Sequence, residues 1–215
     1  MTDRITGRQF DESAGAEDWR AVWGGGRACA YFLTGSFAAG AALVQAIGEL
    51  PSVAHHHVDV DLRPEGVIVR LFTEDPGGLS NTDVEIAREV SAAARRLGLA
   101  ADPSAVLHVQ VAIDALDIPR VRPFWQAVLG YERVGEADLL DPRRSQPSFW
   151  FQQMDAERPQ RNRIHVDVYV PRDQAEARLA AALAAGGHVV SDAHAPGWWT
   201  LADPEGNEVD LAIWG

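Results

Sequence analysis

Basic residues are scarce in this chain, and lysine is absent. The 19 cationic side chains are all arginine and face 31 carboxylates, for a net charge of −12. That balance works against a nucleic-acid partner, because phosphate-backbone binding leans on clustered Lys and Arg. Cysteine occurs once, at Cys29, which excludes an internal disulfide framework and fits a reducing cytoplasm. Cys29 falls in a predicted strand and reads as buried filler rather than as a nucleophile. No apolar run approaches the roughly 20 residues of a membrane-spanning helix, so no membrane partner is expected. Residues 1–17 are polar and acidic, lack a charged-then-apolar secretory pattern, and read as a short ordered arm or a frayed end. The glycines at 24–26 lack a following Lys-Ser/Thr pair, so they read as a turn and not as a phosphate loop. What is present is ordinary for a soluble globular protein: 215 residues, 47% apolar and 23% charged. That is enough for one large or two modest domains. The bias toward Ala, Arg, Asp and Gly points to a high-GC bacterial source.

The first half is organised around residues 55–83. His55, His56 and His57 are consecutive, and histidine is the side chain whose ordinary pKa lies nearest neutrality, which suits acid/base work. Strands are predicted at about 55–62 and 66–73, joined by a turn at Arg63-Pro64-Glu65-Gly66. Asp75-Pro76-Gly77-Gly78 is turn chemistry. Ser80 then caps a helix over about 81–97 that stops at Gly98, with Asp83 as the capping-box acid. Upstream, Arg27 to Leu33 reads as a strand and Phe37 to Leu50 as an Ala-rich helix capped by Ser36 and ended by Pro51. Adjacent strand residues point to opposite faces, so His56 and His57 can share a pocket only where the strand bends or meets an edge.

Residues 98–104 read as a linker. Beyond it an order of strand, helix and further strands occurs twice. The first copy has strands at 106–113, 131–134 and 148–153 and a helix at 120–129. The second has strands at 164–170, 188–191, 198–202 and 208–214 and a helix at 173–185. Neither copy can bury its sheet alone, so the two are expected to pair. The Arg-rich segment 158–163 reads as a solvated loop, and His188 and His194 as surface residues.

Two resemblances follow from these residues. His56-His57, Thr73, Gly78-Leu79-Ser80 and Asp83, with Asp18-Trp19-Arg20 upstream, resemble the pterin-4a-carbinolamine dehydratases (4a-hydroxytetrahydrobiopterin dehydratases). The resemblance places that family's catalytic histidine pair on His56 and His57. Three positions depart from its pattern: Val58 stands where proline usually follows the pair, Glu74 where a third histidine follows the threonine, and Ser52 where an acid precedes the pair by four. In the second half, His108, Phe124-Trp125, Leu129-Gly130, Ile164-His165 and the run Asp203-Pro204-Glu205-Gly206-Asn207-Glu208 resemble the vicinal-oxygen-chelate superfamily, which includes glyoxalases, dioxygenases and bleomycin-resistance proteins. Its metal-dependent members imply ligands at His108, His165 and Glu208, with Gln152 as the fourth and Gln153 as the alternate. Such a set suits Zn, Ni, Fe(II) or Mn. The superfamily also holds metal-free binding proteins, and a strand histidine or an Asn-Glu after a glycine turn also serves purely structural ends.

The fold expected is α+β: residues 1–100 as an antiparallel sheet with helices on one face, and 105–215 as a paired βαβββ glyoxalase-like domain. The leading activity is dehydration of a pterin carbinolamine, a small-molecule lyase reaction needing no cofactor, with His56 and His57 as acid/base groups supported by Glu74 and Asp83. Competing readings are a metal-dependent lyase, isomerase or dioxygenase in the second domain, and a non-catalytic binding or assembly protein with a degenerate dehydratase domain. A cytoplasmic homo-oligomer is expected, since both domains should present sheet edges.

Overall fold

A computed structural model describes residues 4–22, 26–74, 77–157, 165–170 and 172–213. The Arg-rich segment read as a loop at 158–163 lies outside the described residues. The chain divides into two compact units, residues 1–108 and 109–215.

The first unit contains β1 (Arg4–Ile5), α1 (Gly7–Asp11), β2 (Trp19–Val22), β3 (Arg27–Leu33), α2 (Phe37–Gly48), β4 (His57–Leu62), β5 (Gly66–Phe72), β6 (Leu79–Ser80), α3 (Asn81–Arg96) and β7 (Ala100–Ala101). The main sheet runs β2-β3-β5-β4, antiparallel throughout, with β7 added to β3. Alternation explains its inner face: Val67, Val69 and Leu71 of β5 and Ala28, Ala30 and Phe32 of β3 are buried. α3 lays Val84, Ile86, Ala87, Val90, Ala93 and Ala94 into the same core and leaves Glu85, Arg88 and Glu89 exposed. Trp19 is wholly buried, and its indole N–H donates to the Ala87 carbonyl (3.2 Å) and to Ser91 Oγ (3.1 Å), which ties the sheet to the middle of α3. Gly66 opens β5 against the Tyr31 ring, where an added Cβ would stand 2.4 Å from Cε2. From Arg4 onward the N-terminal arm is ordered: Thr6 and Gln9 form a capping box on α1, Phe10 enters the core, and β1 pairs with β6 so that Arg4 lies opposite Ser80.

The second unit contains β8 (Gln110–Ala115), α4 (Ile118–Leu129), β9 (Glu132–Val134), β10 (Asp138–Leu140) and β11 (Ser148–Gln153). These are followed by β12 (Val166–Val170), α5 (Ala175–Ala184), β13 (His188–Ser191), β14 (Trp198–Ala202) and β15 (Glu208–Ile213). Its two four-stranded sheets are built alike, β8-β11-β10-β9 and β12-β15-β14-β13. In each, the first strand of the repeat lies parallel to the last and the remaining pairs are antiparallel, which makes two βαβββ copies. Val121, Phe124, Trp125 and Val128 of α4 pack with Phe149 and Phe151 of β11. α4 ends at Gly130, whose φ of +71° is the left-handed cap that glycine adopts without strain.

The run Asp203–Asn207 has a structural duty. The buried Asp203 carboxylate accepts from the backbone N–H groups of Glu205 (2.9 Å) and Asn207 (3.0 Å), from Asn207 Nδ2 (2.7 Å), and from the Trp125 indole (2.9 Å). Glu205 reaches across to the first repeat, where its two oxygens accept from the N–H groups of Leu116 (2.8 Å) and Asp117 (2.7 Å) at the start of α4.

The fold class is the α+β arrangement implied by the sequence pattern, and several boundaries differ. β4 begins at His57, because the 3₁₀ turn Pro51–Val53 and a following bend take up His55 and His56. β8 begins at Gln110 rather than near Val106. The stretch read as a linker holds β7, whose ladder to Phe32 and Leu33 is backbone pairing with no side-chain signature. β2 and β10 are strands that the pattern did not show.

Candidate active site

The strongest constellation lies where β4, β5 and the start of α3 meet. Thr73 closes β5, and its N–H and C=O both pair with Gly78 (2.9 and 3.0 Å), so the turn returns the chain to Ser80 directly before α3. This brings Thr73, Ser80 and Asp83 together. Asp83 Oδ2 accepts from Thr73 Oγ1 (2.7 Å), Ser80 N–H (2.7 Å) and Ser80 Oγ (3.0 Å), while Oδ1 faces His56 Nε2 at 2.8 Å. The Asp83 side chain is fully buried and that of His56 is 9% exposed. Burial by itself raises the Asp83 carboxyl, but hydrogen bonds from His56, Thr73 and Ser80 outweigh it and hold the group below the ordinary carboxylate range. An ionised carboxylate only accepts, so the proton between the two groups sits on His56 Nε2. No hydrogen-bond partner meets His56 Nδ1 among the described residues.

His57 opens β4 opposite Phe72, whose ring it meets edge-on at 6.4 Å. Its side chain is 50% exposed, and Nδ1 stands 3.3 Å from Glu74 Oε1. Because His56 precedes the strand, the alternation that would send the two histidines to opposite faces does not apply. Both line one cavity of about 450 Å³ together with Ala54, His55, Phe72, Thr73, Glu74 and Thr82. That volume falls in the range of small-molecule sites, about 300–1,000 Å³. Of the residues singled out from sequence, His56, His57 and Glu74 line the cavity, and Asp83 stands behind His56. Ser52, at the position where the dehydratase pattern has an acid, hydrogen-bonds the Glu89 carboxylate on α3. Thr73 entered the sequence reading only as part of the resemblance and Ser80 only as a helix cap, yet they supply three of the hydrogen bonds on Asp83. Their signal was available in the Thr-turn-Ser-x-x-Asp spacing, which closes on itself once the turn is two-stranded.

The second unit places the expected metal ligands as follows. His108 precedes β8 and belongs to the first unit, where partial desolvation and the guanidiniums of Arg27 and Arg70 hold its imidazole below the usual range. Gln152 is exposed on β11. Gln153 Nε2 donates to the Leu116 and Met154 carbonyls (2.7 and 2.9 Å). His165 lies just before β12, and Glu208 opens β15 opposite Ala202. Among the described residues, the His, Asp and Glu donors that converge within 4.8 Å of one another are those of His165, Asp167 and Asp210. Cys29 is buried, and that burial pushes its thiol up, which removes it as a nucleophile at neutral pH. His188 and His194 are exposed, and His194 stacks on Trp198 at 4.0 Å.

Comparison with known proteins gives each half its own likeness. Residues 3–93 match the family model of pterin 4 alpha carbinolamine dehydratase, and the N-terminal half resembles that family. Residues 110–212 match the model of the glyoxalase-like domain, and the C-terminal half resembles that one. Among curated proteins, a candidate pterin-4-alpha-carbinolamine dehydratase of Nocardia farcinica is 40% identical over 60 residues, which is 28% of this chain and 63% of that protein. One so described from Acidobacterium capsulatum is 38% identical over 56 residues, 26% of this chain and 61% of that protein. The chain thus spans less than two thirds of these bacterial relatives. Among solved structures, a glyoxalase-related enzyme from Fulvimarina pelagi aligns at a TM-score of 0.41 and 13% identity, over 50% of this chain and 88% of that one. The fosfomycin resistance protein FosX from Mesorhizobium loti aligns at 0.39 and 12% identity, over 50% of this chain and 90% of that one. No helix among the described residues is long and apolar enough to cross a membrane.

Proposed function

We propose that the N-terminal unit is a hydro-lyase acting on a pterin carbinolamine, of the 4a-hydroxytetrahydrobiopterin dehydratase type. The observation that carries this reading is a histidine fixed by a buried carboxylate in a cavity shared with a second histidine. Dehydration breaks one C–O bond and forms one C=N bond. The hydroxyl leaves as water with a proton taken from an acid, and the adjacent ring nitrogen gives its proton to a base. His56 is suited to the base role: its Nε2–H is committed to Asp83, and Nδ1 keeps a lone pair. His57 is suited to the acid role, because it is half exposed to solvent on the cavity wall and its Nδ1 stands 3.3 Å from the Glu74 carboxylate, which orients the ring. Both steps are proton transfers, so neither a metal nor an organic cofactor enters. The single cysteine supports a cytoplasmic setting. The edge position of β4 in its sheet supports a homo-oligomer.

The test is turnover of a freshly generated 4a-hydroxytetrahydropterin by the full chain and by His56→Ala, His57→Ala and Glu74→His. The expected result is a wild-type rate above the uncatalysed one, a loss of about 10²-fold or more in each alanine variant, and retained or raised activity in Glu74→His. A wild type no faster than buffer, or a rate indifferent to both alanine substitutions, overturns the proposal.

A further inference from the structure

We propose that the cleft between α4 and α5 binds a small organic anion, a carboxylate or a phosphate monoester, on the open edge of the Arg178 guanidinium. The cleft lies within the C-terminal unit and holds about 520 Å³, inside the range of small-molecule sites. Arg178, Gln126, Gln174 and Tyr131 supply its polar wall, and Pro123 with three alanines its apolar one. Arg178 is half-buried and anchored at one end. Its Nη1 donates to the carbonyls of Ala127 (3.4 Å) and Val128 (3.1 Å) in the last turn of α4. Gly130 makes room for that contact, since an added Cβ there would overlap Nη1.

What the anchor leaves over defines the ligand. The Nε–H and Nη2–H of Arg178 make no hydrogen bond among the described residues. These two donors run parallel and form the fork that takes both oxygens of a carboxylate or a phosphate. A guanidinium already pinned through its other nitrogen loses little further freedom when the fork is used. Gln126 adds a second donor. Its Oε1 accepts from Arg133 Nε at 2.7 Å, and its NH₂ stays uncommitted. Charge then fixes the sign of the guest. The chain carries 31 carboxylates against 19 guanidiniums, yet among the described residues the cleft is lined by one guanidinium and no carboxylate. Asp173, beside Gln174 in the chain, accepts from the Gln174 amide at 3.2 Å. Tyr131 adds no negative charge: burial, with the Asp141 carboxylate, pushes its hydroxyl up to about 12, and the hydroxyl donates to the Pro147 carbonyl at 3.1 Å. The alanine and proline wall suits an aryl or short alkyl group on the anion.

The experiment is ¹H–¹⁵N NMR of the labelled full-length chain, read at the arginine Nε–H and glutamine NH₂ signals, during titration with sodium benzoate and, separately, with phenyl phosphate. Circular dichroism shows that each variant is folded. Saturable shifts are expected at the Arg178 Nε–H, assigned by its absence in Arg178→Lys, and at the Gln126 NH₂. Arg178→Lys keeps the charge and loses the fork, so affinity should fall at least about 10-fold; Gln126→Leu removes one donor and should cost about 10-fold. If Arg178→Lys does not fold, Gln126→Leu carries the same comparison. Saturation by benzoate alone assigns a carboxylate guest and by phenyl phosphate alone a phosphate ester, and either supports the proposal. A response to both probes that stays linear overturns it. So does saturable binding that leaves the Arg178 and Gln126 signals unmoved, or an affinity unchanged in the folded variants.

Discussion

Replacing Asp83 by asparagine keeps the side-chain shape and changes two things that can be measured apart. Asp83 Oδ2 takes hydrogen bonds from Thr73 Oγ1, Ser80 N–H and Ser80 Oγ, so an NH₂ group cannot occupy its place. The asparagine oxygen must stay there, and its NH₂ must turn toward His56. The hydrogen bonds on the oxygen then fall from charge-assisted values of about 1.5–3 kcal/mol to neutral ones of about 0.5–1.5 kcal/mol each. The expected loss is about 2–4 kcal/mol in the N-terminal unit. The second change is chemical. An NH₂ donor facing Nε2 forces His56 into the tautomer with its hydrogen on Nδ1, which removes the lone pair assigned to the base. Turnover is expected to fall about 10²–10⁴-fold. Stability is read from urea unfolding and from hydrogen exchange of the β5 and α3 amides, and the tautomer from ¹⁵N shifts of labelled histidine, which needs no substrate. The pH dependence gives a sign check. Asp83 is held below its unfolded value of about 3.9, so its contribution is complete above that value and is lost as pH falls through the folded one. Wild type and variant should therefore converge in acid and differ most near neutrality. A variant within about 0.5 kcal/mol of wild type at pH 7, the scatter of an ordinary surface change, with His56 still protonated on Nε2, refutes the reasoning.

Four further outcomes are expected. His57→Ala should leave unfolding free energy within about 0.5 kcal/mol of wild type, since a half-exposed side chain is lost, while turnover falls; a large stability loss would recast His57 as structural. Glu205→Ala should cost the C-terminal unit about 1–2 kcal/mol through two uncovered amides, with faster hydrogen exchange at Leu116 and Asp117; unchanged exchange there would remove Glu205 from the account. Gly66→Ala should lose about 1–3 kcal/mol by forcing a Cβ into the Tyr31 ring. Gly48→Ala, with nothing within 4 Å of an added Cβ, should gain up to about 1 kcal/mol of helix propensity; equal effects at both glycines would contradict the packing described.

Long periodic segments were readable from sequence because their own side chains carry the signal. β5 alternates Val67, Val69 and Leu71 inward, α3 shows its cap and its apolar stripe, and the duplicated order of strands and helices predicts the paired βαβββ plan. Elements held by partners elsewhere were not readable. β7 exists because Ala100 and Ala101 pair with Leu33 and Phe32, and β10 is three residues between turn-forming neighbours, too short for alternation to show. In the cavity, the residue types were legible and the geometry was not. Asp83 reads locally as a capping acid, and only the path of the chain through residues 51–56 brings His56 against it. The same holds in the second unit, where Asp167 and Asp210 look like solvated strand residues until the register pairs them.

The Glu205 bridge bears on how the C-terminal unit comes into being. The two repeats match in plan, but the helix of the first has its leading amides and its Trp125 indole satisfied by a turn of the second, 78 to 89 residues further along the chain. At a translation rate of about 5–20 residues per second, the first repeat waits several seconds with those donors uncovered and its aromatic core open on one side. The first repeat therefore completes its fold only with the second, and the interval is when its open surface meets chaperones or proteases. The waiting surface is also indifferent to which chain supplies the turn. Two copies that exchanged second repeats would keep each of these contacts, which makes a swapped dimer a low-cost alternative for this unit.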